Sequence, residues 1–473
     1  MDNQPSRLRS GALGALGAAA IAMAFMGPAT SVFFNTPLAA AAAGYALPLA
    51  ILLALVVCLL VASVIASFAR KLPTAGFAYT FNTHGFGRRG GFLSGWLLLL
   101  AYGMVGPMLL SAIGSFTSTF FRDEFHRDVP WWSLTLFYGA AIWGISALGV
   151  SQSAKTALIF LVLEVGVMVS LFAIVLGKGG ADGLSLAPLT PGASAGGIAG
   201  LGKGMLWGVL MFIGFESAAT LGEEARSARR AIPIALFTAV LAIGAFYVLS
   251  GYTAAVGFGD HGGLAKDSEP WTTLMSKYWG LGWLLALTVL NSMFANLISG
   301  VTAQVRVVFA MGREGLIPRR LGVIGARLVP QAALGFYMAF SLSAALIGGV
   351  WISPLGMYGF AGTIVGLSMV VVYITMSLAL IRFYLREHRA EFSALRQGVV
   401  PVAAALLLLL PVYGQLDPLP TGPNRVALFL IVGWMAAGLA YLVWIGASRP
   451  DLLSAMGRVW GDEPAEVSPV AQV

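Results

Sequence analysis

The sequence predicts an all-α polytopic membrane protein of about twelve transmembrane helices, and three observations predict it. Hydrophobic residues make up 58% of the 473 and charged residues only 10%, with a mean hydropathy of +0.85; soluble domains carry about 25% charged residues. Apolar runs follow one another along the chain, most of them near the ~20 residues that a helix needs to cross hydrocarbon. Two of these runs are also interrupted in the same way, which is the mark of discontinuous helices.

Taken in order, the expected spans are 13–34, 44–68, 91–120, 131–150, 156–176, 200–221, 232–256, 281–311, 331–350, 357–383, 399–413 and 426–445. The eleventh is short and carries Pro401 and Pro411. The apolar stretch after Arg7 and Arg9 is too long for a signal-peptide core and runs into the first interruption instead of a cleavage site, so no cleavable signal is expected. Cys58 is the only cysteine and falls inside the second span, which excludes a disulfide framework or cysteine metal site and reads as a small buried hydrophobe. His84, His126, His261 and His388 lie near loops without metal-ligand spacing, and there is no phosphate-binding loop. No enzyme, metal, cofactor or ATP-driven pump is therefore expected.

Charge placement sets the orientation. With the N-terminus in the cytoplasm, the loops bearing Arg70, Lys71, Arg88 and Arg89, then Arg226, Arg229 and Arg230, then Arg313, Arg319, Arg320 and Arg327, then Arg382, Arg386, Arg389 and Arg396 all face inward. Fewer basic residues lie opposite, as the positive-inside bias requires. The formal net charge of +8 is then explained by topology and anionic lipid headgroups, without nucleic acid. The expected location is a cytoplasmic (inner) membrane, with both termini cytoplasmic.

The interruptions read IAMAFMGPATSVFF (21–34) and VLMFIGFESAATL (209–221). Broken backbone at membrane depth survives only beside protein or a wet cavity, and paired breaks in two halves point to the midplane binding site of a secondary transporter. Gly27 and Gly214 lie 187 residues apart, and the same offset carries Trp96 onto Trp283, so spans one to five register on spans six to ten. An odd number of spans per repeat inverts the second copy. The expected organisation is a cytoplasmic N-terminus (1–12), a first repeat (13–176), a second repeat (177–383), two trailing helices (384–447) and a disordered cytoplasmic tail (448–473).

At the first break Pro28 suits the first helical turn, leaving the N–H groups of Ala29, Thr30 and Ser31 at a helix N-terminus for a substrate carboxylate. At the second, the carbonyls of Leu210, Met211, Phe212 and Ile213 are expected to lose their helical partners and face an ammonium group. A site with donors on one side and acceptors on the other suits an α-amino acid. Two packing kinks are the simpler alternative. Met26, Gly27 and Gly214 complete the candidate substrate site, with Tyr102, Phe212 and Phe215 as candidate walls or gates, although aromatic residues in membrane bundles more often serve packing. Tyr358 with the following GFAG marks a flexible point in span ten, a candidate gate.

The segment GFESAATLGEEARSARRAIPIAL (214–236), together with KLPTAGFAYTFNTHGFGRRGGFLSGW (71–96) and AMGREGLIPRRL (310–321), resembles the amino acid–polyamine–organocation (APC) permeases over nearly the whole chain. Ser227-Ala228 replaces the family's usual Asn-Pro, and Met-Gly-Pro-Ala-Thr-Ser replaces its common Gly-Ser-Gly type of first break. The resemblance implies a transporter with two inverted five-helix repeats and a solute between spans one, three, six, eight and ten. It implies amino acid movement by alternating access with proton coupling, or alternatively transport of an amine or polyamine; a sensor or scaffold is the distant alternative. It places Glu216 at the acidic position of the GFE motif, which a structural carboxyl would also explain. It places Glu164 where several proton-coupled members carry a lysine, near Ser299 and Thr302 on one face of span eight. Glu164 would take up a proton, coordinate a cation or pair with span eight, and a purely structural role is the other possibility. Glu223 and Glu224 with Arg226, Arg229 and Arg230 read as a solvated turn or a closing salt bridge. The implied partners are a small solute, a coupling proton or cation, and the bilayer.

Overall fold

The computed structural model describes residues 14–74, 76–222, 225–259, 262–325 and 329–449. Residues 1–12, Glu223, Glu224, His261, Arg327 and the tail from 450 onward lie outside the described residues, and with them the expected salt bridge of Glu223 and Glu224.

The chain folds into helices α1 (Ala15–Met26), α2 (Pro28–Ala43), α3 (Leu47–Ala69), α4 (Ala78–Phe86), α5 (Arg88–Phe125), α6 (Trp131–Ser146), α7 (Val150–Gly177), α8 (Gly197–Phe212), α9 (Ser217–Thr220) and α10 (Ala228–Phe258). After these come α11 (Gly263–Lys266), α12 (Pro270–Tyr278), α13 (Gly282–Arg313), α14 (Gln331–Ile352), α15 (Pro354–Glu387), α16 (Val400–Leu407), α17 (Leu409–Leu416) and α18 (Gly422–Ser448). Among the described residues the only strand-like pairing is an isolated bridge between Gly44 and Ser194. Among the described residues, eleven segments are long and apolar enough to cross a membrane, counting α1 with α2 and α8 with α9 as single broken spans. The expected fourth span is α6, which ends at Ser146 rather than Val150 and has only 16 residues, or ~24 Å of helix at 1.5 Å per residue. The expected eleventh runs from Ala394 to Leu416; its first turn, Ala394–Val399, is π-helical. Pro401 follows directly on this π-helical turn, as the second residue of α16.

Both interruptions are present. α1 stops where Gly27 turns left-handed (φ 53°) and donates its N–H to Ala24 O. Pro28 then opens α2 with its φ already fixed for a helix. α8 stops at Phe212, Ile213 is extended (φ −55°, ψ 127°), and Gly214 takes φ 123° before the single turn of α9. An ideal Cβ on Gly214 would lie 2.9 Å from Met26 N and from Phe25 C. The two breaks therefore touch backbone to backbone, a contact that only a residue without a side chain permits.

One apolar core runs through the spans and encloses both breaks, with α5 packed on α15, α3 on α10, α2 on α8 and α7 on α13. α18 stands at the edge, burying only Ala427, Gly438, Leu442 and Ile445. Cys58 is free and buried.

Candidate functional site

Between the breaks lies a cavity of 20 Å³ lined by Phe25, Met26, Ser31, Asn35, Val105, Met108, Leu109, Leu210, Ile213, Asn296, Tyr358 and Val365. That volume admits about one water. A second cavity of 620 Å³ opens towards the ends of α5 and α11, lined by Phe33, Phe34, Leu38, Phe116, Phe120 and Leu285 below and by Asp123, Glu124, Lys266, Asp267 and Glu269 at its rim. Its size is that of a small-molecule site. Tyr358 lines both cavities. Its ring lies 4.9 Å from that of Phe34, which meets Phe116 at 5.9 Å, and its hydroxyl donates to Asn35 Oδ1 at 3.2 Å. Tyr358 is the residue the two linings share, and with Phe34 and Phe116 it forms an aromatic layer where the vestibule meets the smaller cavity. At the other end of the bundle, Tyr79 on α4 bonds Glu314 beyond α13.

The first break differs from the expected open anion site. Ala29 N–H donates to Glu164 Oε2 at 3.1 Å, Thr30 N–H to Ser292 Oγ at 2.9 Å and Ser31 N–H to Gly27 O at 2.7 Å. Unpaired amides cannot stay dry at this depth, and α7 and α13 supply the acceptors. On the carbonyl side, Met26 O accepts from Ser31 Oγ at 2.6 Å and from the Tyr247 hydroxyl at 2.9 Å.

The second break is also partly closed on itself. Ile213 N–H reaches Val209 O and Leu210 O, and Phe215 N–H reaches Phe212 O. Leu210 and Phe212 thus keep partners, contrary to expectation, because the chain tightens into turns as the helix ends. Among the described residues, Met211 O and Ile213 O accept no backbone hydrogen bond outside regular helix. Glu216 holds this turn: Oε2 accepts from Gly214 N–H at 3.0 Å and Oε1 from the Tyr102 hydroxyl at 2.8 Å. Both Glu164 and Glu216 are fully buried.

Of the expected site residues, Met26, Ser31 and Ile213 line the midplane cavity, and Gly27 and Gly214 form the two bends. Ala29 and Thr30 turn their amides away from it, towards α7 and α13. Tyr102 faces Glu216, Phe212 packs edge-on to Tyr247 at 5.2 Å, and Phe215 lies 6.0 Å from Tyr373; none of the three lines the cavity. Glu164 meets Ser292 rather than Ser299 and Thr302. Those two lie seven and ten residues further along α13, ~10 Å or more up the axis, and Thr302 Oγ1 bonds Ile298 O. Ser299 Oγ is buried without a partner.

Sequence reasoning missed Ser292, Asn296, Asn35 and Tyr247. Ser292, Asn296 and Ser299 recur at i, i+4 and i+7, a polar stripe on one face of α13 that was legible. Asn296 packs so closely on the first break that a Cβ on Gly27 would fall 2.2 Å from its Nδ2. Tyr247, one of several tyrosines in apolar sequence, gave no signal.

The sequence profile described as amino acid permease matches residues 13–438. The chain belongs to the amino acid permease family. Curated relatives of this permease include the branched-chain amino acid permease BcaP of Lactococcus lactis, 28% identical over 69% of this chain and 72% of that protein. The low-affinity putrescine importer PlaP of Escherichia coli is 22% identical over 80% of this chain and 81% of the importer. The cationic amino acid transporter 3, mitochondrial, of Arabidopsis thaliana is 25% identical over 72% of this chain, which spans only 57% of that longer protein. The permease is thus an APC-type, multi-pass membrane protein of a family of transporters, and its relatives' names include carriers of amino acids and of an amine.

Proposed function

We propose that the chain is a secondary active transporter that moves an amino acid or a derived amine by alternating access, coupled to protons through Glu164. The observation that carries this reading is the direct contact between two broken helices beside a small enclosed cavity, which shares Tyr358 with a larger vestibule. A bundle core built for packing alone has no reason to break two helices where they meet. In this reading α1 with α2 and α8 with α9 belong to two inverted repeats, 13–176 and 177–383. The basic loops favour an inner membrane with both termini in the cytoplasm, an orientation in which the vestibule opens outward.

Glu164 suits a coupling role because its carboxylate fastens α7 to the start of α2. A carboxylate accepts the Ala29 N–H strongly; once protonated it accepts weakly. Protonation then loosens α2 from the scaffold, as a coupled rocking motion requires. Reconstituted into liposomes, the protein should accumulate solute when an inward proton gradient is imposed. Glu164→Gln should abolish accumulation but retain downhill counterflow. Accumulation by Glu164→Gln equal to wild type rejects this coupling role.

A further inference from the structure

We infer that the transported solute is an organic amine lacking a carboxylate, its anionic counterpart being the chain's own Glu164; this rests on the transport reading above and narrows it. A zwitterionic amino acid in such a site gives its carboxylate to the amides that open α2 and its ammonium to carbonyls at the breaks. Here no amide is left. Pro28 has no N–H, Ala29 is held by Glu164, Thr30 by Ser292, and Ser31 by Gly27 O. The positive end of α2 already has a carboxylate seated on it, supplied by α7, a span that is not interrupted.

The polar lining of the cavity carries no positive charge: it is made of the Asn35 and Asn296 carboxamides and the Ser31 and Tyr358 hydroxyls. Asn296 is only 5% exposed, it lines the cavity, and its Oδ1 has no hydrogen-bond partner. Its Nδ2 is turned to Gly27. Ile213 lines the cavity too, beside a carbonyl released by the second break. No lysine, arginine or histidine lines it. A buried acceptor without a donor is costly, and an ammonium group supplies up to three donors. A substrate carboxylate would find neither cation nor free backbone amide at the start of α2, and the buried Glu164 carboxylate that already caps α2 is of its own sign.

The approach to the site has the same sign. Four carboxylates, Asp123, Glu124, Asp267 and Glu269, stand against one lysine, Lys266, around the vestibule. A mouth of one charge sign concentrates solutes of the other. Its floor is aromatic, with Phe33, Phe34, Phe116 and Tyr358, which suits an organic cation by cation–π attraction.

Matched pairs decide the question: putrescine against ornithine, cadaverine against lysine, isobutylamine against valine. Each is tested on the purified full chain by thermal stabilisation and in proteoliposomes by counterflow. Amines should bind at least about a hundredfold more tightly than their parent acids, and only amines should exchange. Glu164→Gln, which keeps an acceptor on Ala29 without the charge, should narrow the ratio by tenfold or more, by order of magnitude. Asn296→Ala should weaken amine binding without narrowing it. Counterflow of the acids but not the amines overturns this inference and leaves transport standing. Absence of counterflow for every pair, in protein that remains monodisperse, overturns the transport reading and this inference with it.

Discussion

Gly214→Ala is the most direct test of the contact between the two breaks. Gly214 adopts φ 123°, a region that L-residues enter at a cost of about 1–3 kcal/mol. The added methyl carbon would also stand 2.9 Å from Met26 N, 2.9 Å from Phe25 C and 3.1 Å from Phe25 Cγ. Two of these are backbone atoms on the opposite break, so no rotamer change relieves them, and overpacking of this kind costs about 1–3 kcal/mol. The sum, about 2–6 kcal/mol, falls on the packed arrangement seen here. The measurement is thermal unfolding in detergent beside counterflow in liposomes. Gly433→Ala on α18 is the control, because a Cβ there meets nothing within 4 Å; replacing a helical glycine by alanine should be neutral or stabilising by up to about 1 kcal/mol. Gly214→Ala should unfold well below wild type and lose exchange, while Gly433→Ala does neither. A Gly214→Ala protein with wild-type melting temperature and exchange would show that the breaks do not pack as described, and the site built on them would fall.

Other outcomes follow from the same geometry. Glu216→Ala should destabilise the protein by about 2–4 kcal/mol, because Gly214 N–H and the Tyr102 hydroxyl both lose their buried acceptor; Glu216→Gln, able to serve both, should melt close to wild type. Tyr358→Ala should join the vestibule to the midplane cavity, so a thiol reagent should label Ser31→Cys, in a Cys58→Ala background, several-fold faster than with Tyr358 intact. Tyr247→Phe removes one of the two donors on Met26 O, worth about 1 kcal/mol, and should tighten solute binding roughly fivefold while slowing exchange. The ion pair of Lys71 Nζ with Glu391 at 2.7 Å holds the Glu391 carboxyl below its usual value, chiefly through that hydrogen bond. A depressed carboxyl contributes above its unfolded value, about 4.3, and the contribution is lost as pH falls through the lower folded value. Melting curves of wild type and Glu391→Gln should therefore keep a constant offset from pH 5 to pH 8, measured at low salt, and converge only in strong acid. An offset that changes between pH 5 and 8 would contradict the assignment.

The spans and the positions of both breaks were legible because each follows from a local rule. Hydrocarbon thickness fixes the length of an apolar run, and a glycine next to Pro28, or beside Glu216, is a poor continuation of a helix. What the sequence did not disclose is where the released backbone groups go. Ala29, Thr30 and Ser31 were read as free donors because they begin a helix. Ser31 finds Gly27 O four residues back, but the partners of Ala29 and Thr30, Glu164 and Ser292, lie 135 and 262 residues away, and nothing local specifies which helix will stand opposite. The same limit misplaced Ser299 and Thr302: spacing by three places both on one face of α13, but the height at which α13 meets α7 decides that Ser292 is the residue beside Glu164. The α6 helix fell short for a different reason. Apolar sequence continues beyond Ser146, whereas the helix ends there with a turn through Ala147 to Gly149.

The hydrogen bonds within the breaks also constrain how binding can proceed. A dry cavity of 20 Å³ with open amides and carbonyls would be a poor resting state, since each unpaired group costs about 1–3 kcal/mol. Here Ser31 and Tyr247 occupy Met26 O, and Glu164 and Ser292 occupy the amides. An entering ammonium therefore exchanges with hydroxyl donors at Met26 O and does not fill a vacancy there. Its net gain comes from groups that still lack partners, Asn296 Oδ1 at the cavity among them. Such exchange keeps affinity modest and release fast, which favours turnover, because binding that is uniformly tight slows the steps after it. The partition of roles follows: Tyr247 and Ser31 set how readily the solute leaves, Asn296 sets how firmly it is held, and Glu164, seated on the amide that opens α2, sets which charge is admitted.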